Sequence, residues 1–150
     1  MKKLFLTIIL ILACFASACN KQPDAVDSQG KAISFSDYRG KWLVVNYWAT
    51  WCKPCLTELP ELNALYAAHQ DKLVVLGISF DHLPNTEIQQ FAQPLQLKFP
   101  LLSQFPTEKF GIKDIPTLPV TFLISPQGKL TQTLYGPQTK ASLLTAMELK

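Results

Sequence analysis

Two cysteines three residues apart, in Trp51-Cys52-Lys53-Pro54-Cys55, are the side chains of this sequence best suited to chemistry. The string follows an apolar, β-branched run and opens a helical pattern, so the first thiol falls at a helix N-terminus. Free backbone N–H groups and the helix dipole favour the nucleophilic thiolate there. Two intervening residues let the second sulfur reach the first at disulfide distance. Pro54 suits the first turn, where its missing N–H costs nothing, and Lys53 adds a positive charge. Such a pair performs reversible dithiol–disulfide exchange. It needs no cofactor and no metal, because the Cys52–Cys55 disulfide is itself the redox group. Two blander uses compete. Half of a zinc site would need two more ligands, but there is no second C-x-x-C, and His69 and His82 are not in paired spacing. An inert structural bridge closing so small a loop would constrain the unfolded chain little.

These cysteines need a scaffold, and the pattern supplies one. Gly30–Phe35 reads as a turn and short strand, and 36–41 as a turn or a single helical turn. Trp42–Trp48 is nearly all apolar, a strand buried on both faces. Pro54 to about Gln70 is a helix whose Leu56, Leu59, Leu62, Leu65 and Tyr66 form one apolar face, with Pro60 expected to kink it. Leu73–Ser79 is a second buried strand, and a helix from Thr86 to Phe91 or Gln93 ends at Pro94. Phe99–Leu102 is extended. Thr121–Ser125 and Leu130–Tyr135 flank Pro126-Gln127-Gly128-Lys129 as a hairpin. Lys140–Leu149 closes with a helix. The order predicts an α/β domain whose central mixed sheet is flanked by helices on both faces.

The chain has 150 residues, 48% hydrophobic and 17% charged, enough for one domain with an ordinary core and too apolar for disorder. Its net charge is +3, of which Lys2 and Lys3 supply two. The +1 that remains beyond residue 18 gives no basic surface for nucleic acid. Residues 1–18 read as a secretory signal: Met1-Lys2-Lys3, an apolar run to about Phe15 that contains Cys14, then Ala16-Ser17-Ala18. A retained membrane anchor is the alternative, against which the run is short. Cleavage before Cys19 fits either an ordinary signal peptidase or a bacterial lipobox with Ala16 in place of the preferred Leu. The lipobox reading makes Cys19 the site of lipidation and residues 19–26 a polar tether, ahead of a domain over 27–150. It also explains an otherwise odd free thiol in an oxidising compartment.

Gly30-Lys31, Phe35-Ser36-Asp37-Tyr38-Arg39-Gly40-Lys41, the string from Val44 to Cys55, Glu58-Leu59-Pro60 and the segment Pro119–Gly128 together resemble the TlpA/ResA-like branch of the thioredoxin superfamily. The resemblance covers about residues 27–149. It implies a thioredoxin-like fold and an extracytoplasmic, often tethered thiol-disulfide oxidoreductase on the periplasmic side of a bacterial membrane. It further implies clients that are proteins with disulfides or thiols, apocytochrome c among them, and an electron donor of the CcdA or DsbD kind. A monomer is expected. A net oxidant or isomerase uses the same residues, and a redox-inactive binding lipoprotein of this fold is the reading from another class.

The resemblance also bears on single positions. Glu58, one helical turn after Cys55, matches a glutamate thought to tune the cysteines and move protons; a solvated helix carboxylate is the plain alternative. Asn46 stands where cytoplasmic thioredoxins carry a buried Asp, so that proton route is absent here; otherwise Asn46 is a hydrogen-bonded strand residue. Pro119 is the expected cis-proline, chosen over Pro116 because its nine-residue distance to Gly128 matches the family's strand and turn. The backbone at Leu118 and Pro119 would pair with an extended client. Trp51, Lys53 and Pro54 complete the expected contact surface, Trp48 is core, and Cys52, the more exposed sulfur, attacks. The stretch 110–118 is longer than the common pattern.

Overall fold

The computed structural model describes residues 22–149. The segment 1–18 expected to be a signal, with Cys14, and the expected lipidation site Cys19 lie outside the described residues. Among the described residues, seven strands and three α-helices follow in the order β1 (Ala25–Val26), β2 (Ala32–Ile33), β3 (Trp42–Trp48), α1 (Lys53–Ala68), β4 (Leu73–Ser79), α2 (Asn85–Ala92), β5 (Leu101–Leu102), β6 (Val120–Ile124), β7 (Leu130–Tyr135) and α3 (Lys140–Ala146). Single 3₁₀ turns occupy Phe35–Tyr38 and Thr107–Phe110.

The main sheet runs β5-β4-β3-β6-β7, and β1 pairs with β2 as a small separate sheet. Strand β3 is central. It pairs parallel with β4 and antiparallel with β6, with Asn46 opposite both Gly77 and Thr121. Alternation along the strands sorts side chains into two cores. Val44, Trp48, Val75 and Leu123 join Leu59, Leu62 and Leu65 of α1, Ile88 of α2 and Leu143 of α3 on one face. Leu43, Val45, Tyr47, Leu76, Ile78, Val120 and Phe122 join Ile33, Phe35, Phe105 and Ile112 on the other. The α-helices thus cover one face, while the small sheet and the 3₁₀ turns cover the second. The helices expected on both faces are reduced there to the single 3₁₀ turns Phe35–Tyr38 and Thr107–Phe110.

Local chemistry explains the boundaries. At the β6–β7 hairpin Gly128 has φ +81°, a left-handed conformation that favours glycine, and its N–H donates to the Ser125 carbonyl at 2.8 Å. Helix α3 opens on a reciprocal Thr139–Ser142 capping box and ends at Ala146, short of the expected Leu149. Helix α1 continues past Pro60. Gly77 sits where a Cβ would lie 2.5 Å from Leu101 Cδ2 and 2.9 Å from Phe99 Cε2, so β4 reaches its neighbours only through the absence of a side chain. Trp48 is fully buried and stacks on Phe91 with ring centroids 4.6 Å apart, fastening α2 to the sheet.

The segment expected to be a tether as far as Val26 is folded at its end. Ala25 and Val26 pair with Ile33 and Ala32, and a carboxylate oxygen of Asp24 accepts the Phe35 N–H at 2.7 Å. Among the described residues, backbone hydrogen bonding begins at Asp24, where an extended neighbour strand is available to satisfy it.

Candidate active site

Strand β3 ends at Trp48, and three residues later the chain turns into α1. Cys52 is the N-cap of that helix, in an extended conformation. Its Sγ accepts a hydrogen bond from the Cys55 N–H at 3.3 Å. That donor is one of the orphan N–H groups of the first turn, and it would meet a Cys52 thiolate in the reduced protein. Cys52 and Cys55 are joined as a disulfide with Cα atoms 5.3 Å apart. Cys55 is wholly buried and Cys52 is 4% exposed. Cys52 is thus the more exposed residue of the two, but it is far from an open thiol. Lys53 and Pro54 are exposed beside it.

Trp51 is 63% exposed, and its indole N–H donates to Asp81 at 2.9 Å. Asp81 follows β4, so the loops after the two parallel strands hold this ring between them. Leu118–Pro119 is a cis peptide, whereas Pro116 is not in one. Val120 lies opposite Tyr47 in the register, which places Pro119 at the end of the sheet from which Cys52 departs. The Pro119 carbonyl accepts the Gly136 N–H at 2.9 Å. Leu118 is half-buried and touches both cores. Its own backbone N–H and C=O have no partner among the described residues.

Glu58 is 1% exposed and is no surface carboxylate. Residues 55, 58, 59, 62 and 65 share the face of α1 that meets the sheet. One Glu58 carboxylate oxygen accepts from Asn46 Nδ2 at 2.9 Å; the other accepts from the Gln138 N–H at 2.9 Å and the Thr121 hydroxyl at 3.4 Å. Asn46 Nδ2 also donates to Thr121 Oγ1 at 3.0 Å, while Asn46 Oδ1 is buried without a partner. Burial pushes the Glu58 carboxyl up to about 7, against the opposing pull of the hydrogen bonds from Gln138, Asn46 and Thr121. A group poised there can take or give a proton near neutral pH.

Sequence reasoning missed Thr121, Gln138 and Asp81. Thr121 carried a signal: it is the polar residue of an otherwise apolar buried strand, on the same face as Asn46. Gln138 acts through its backbone and Asp81 lies in a loop, so neither carried one.

A sheet of this order, with a C-x-x-C disulfide at a helix N-terminus and a cis-proline at the same pole, defines a thioredoxin-fold thiol–disulfide exchange protein. The AhpC/TSA family matches residues 16–133, and the chain belongs to it. The thiol-disulfide oxidoreductase ResA of Bacillus cereus is 36% identical over 118 residues, 78% of this chain and 68% of the relative. ResA of Geobacillus thermodenitrificans is 34% identical over 129 residues, 84% and 74% of the two chains. Among solved structures, StoA of Bacillus subtilis superposes with a TM-score of 0.66 at 26% identity, covering 79% of this chain and 90% of its own. The exposed lipoprotein thioredoxin Etrx1 of Streptococcus pneumoniae gives 0.68 at 26% identity, covering 83% and 96%. The protein is a thiol-disulfide oxidoreductase of the ResA and StoA type.

Proposed function

We propose that this oxidoreductase is a reductase of other proteins' disulfides, held on the periplasmic side of a bacterial membrane through lipid on Cys19. The observation that carries the protein-client reading is the pole around Cys52. The unpaired Leu118 backbone lies at the cis-proline there, and Trp51, Phe80 and Tyr135 are exposed large apolar side chains at the same end of the sheet. An extended client segment can add its backbone to Leu118 and lay side chains on those rings.

In this reading the Cys52 thiolate attacks a client disulfide, forms a mixed disulfide and expels the first client thiolate. Cys55 loses its proton and attacks Cys52 Sγ. The second client sulfur leaves, and the Cys52–Cys55 bridge closes. Two electrons pass to the client, and Glu58 is the proton carrier for the buried Cys55. A membrane donor of the CcdA or DsbD kind must then return two electrons. Apocytochrome c is the client class suggested by the resemblance to ResA-like reductases. A lipid at Cys19 has a parallel in the neighbour described as an exposed lipoprotein.

The test is the reduction potential of the Cys52–Cys55 couple together with trapping. A potential at least as reducing as thioredoxin's roughly −270 mV supports the reductase direction; one near the roughly −120 mV of strong oxidants reverses it. A Cys55→Ser variant should accumulate mixed disulfides with clients and a Cys52→Ser variant none. The opposite pattern refutes the assignment of Cys52 as nucleophile.

A further inference from the structure

Beside the redox pole, on the face away from α1, lies a recess of about 520 Å³. Its walls include Tyr47, Phe80 and Ile115. Tyr47 and Phe80 meet the exchange machinery through the backbone, and Ile115 lies close to it along the chain. Tyr47 is opposite Val120, the neighbour of Pro119; the Phe80 N–H donates to the Trp48 carbonyl at 2.9 Å and adjoins Asp81; Ile115 precedes Leu118 in the unusually long 110–118 stretch. The recess therefore opens between the two loops that would flank an extended client.

Its chemistry is one-sided. Tyr47 is only 3% exposed, yet its hydroxyl has no hydrogen-bond partner among the described residues. Burial, with Glu108 nearby, pushes its phenol up to about 12, so it stays neutral and able to accept. Glu108 and Asp114 bring two carboxylates to the rim, against the one cation Lys113. His82 Nδ1 lies 2.9 Å from the Ser103 carbonyl, which can only accept, so a neutral His82 keeps its proton there and leaves Nε2 as an acceptor. The lining thus combines an apolar wall with a surplus of acceptors and negative charge, which is complementary to a long cationic side chain.

We propose that this recess is a specificity subsite for a lysine or arginine near the reacting cysteine of a client. The aliphatic stem lies along Phe80 and Ile115, and the charged head reaches the Glu108 and Asp114 carboxylates and the Tyr47 hydroxyl. The inference rests on the reading that clients are proteins docked at Leu118.

The experiment uses short synthetic peptides whose single cysteine is a mixed disulfide with 5-thio-2-nitrobenzoate. Lysine or norleucine is placed in turn at each of the positions flanking the cysteine. The reduced protein attacks the peptide sulfur and releases the coloured thiolate, which gives kcat/KM. Lysine should exceed norleucine by about fivefold, at one or two adjacent positions only. The double variant Glu108→Gln, Asp114→Asn should bring that ratio close to one, and Tyr47→Phe should lower it. Glu108 and Asp114 are exposed, so their replacement does not threaten the fold. A ratio near one everywhere, an equal lysine advantage at every position, or an advantage that survives the double variant overturns the subsite while leaving exchange with proteins intact. No release from any peptide overturns both.

Discussion

Replacing Glu58 with Gln keeps the shape of the buried side chain and removes its titration. The wild-type carboxyl ionises at about 7 in the oxidised protein, against 4.5 for an ordinary glutamate. Between those values the unfolded chain has lost the proton and the folded one has kept it. The folded state binds more protons, so stability falls as pH rises through this window and levels off above 7. A gap of that size corresponds to about 3 kcal/mol. The Gln variant carries no such cost. Its side-chain oxygen can still accept from the Gln138 N–H, and its amide can donate to Asn46 Oδ1 once the Asn46 amide turns over, using the acceptor that now lacks a partner. The expected result is a stability difference, variant minus wild type, that grows in the variant's favour by about 3 kcal/mol from pH 4.5 to pH 8. Urea unfolding of the oxidised proteins at several pH values measures it. A difference that is flat across this range, or that changes in the opposite sense, would show that Glu58 titrates normally and that the proton-carrier assignment is wrong.

Other perturbations read other parts of the structure. Gly77→Ala should cost about 1–3 kcal/mol in urea unfolding, because the new methyl meets Leu101 and Phe99 inside a packed core. Asp81→Ala should release the Trp51 indole, seen as a changed tryptophan emission and increased fluorescence depolarisation in the folded oxidised protein. Cys19→Ala should move the protein from the membrane fraction to the soluble one, and mass spectrometry of the native N-terminus should find acylated Cys19; equal fractionation of both forms would refute the lipid anchor.

Much of this architecture could be read because strongly patterned segments decide their own structure. Six of the seven residues of β3 are apolar, which fits only a doubly covered strand, and Pro126-Gln127-Gly128-Lys129 could only turn the chain. Cys52 and Cys55 were legible because their chemistry depends on a spacing that local geometry fixes. Glu58 was harder. Its place three residues after Cys55 and four before Leu62 puts it on the buried face of α1, but only the sheet contributes Asn46 and Thr121 to receive it. The long-range partners Asp81 and Gln138 lie 30 and 80 residues from the side chains they bind. No periodicity records such a pairing, because it is created when the loops close over the sheet. The folded state of Ala25–Val26 escaped notice for a related reason: two residues are too few to show alternation, and they become a strand only because Ala32–Ile33 lies beside them.

The short connection between β7 and α3 grips two different things. The Gly136 N–H holds the carbonyl of the cis-proline, and two residues later the Gln138 N–H holds the Glu58 carboxylate. Glu61 repeats the second contact by accepting the Lys140 N–H at 2.9 Å. One stretch of backbone therefore joins the cis-proline to the buried Glu58 carboxylate. Where docking alters that stretch, thermodynamic reciprocity applies: a client that changes the proton affinity of Glu58 is itself bound with a pH-dependent affinity, by the same factor. The acidity of the medium would then act on this protein as a second ligand, read through a loop that carries no titratable side chain between Gly136 and Thr139.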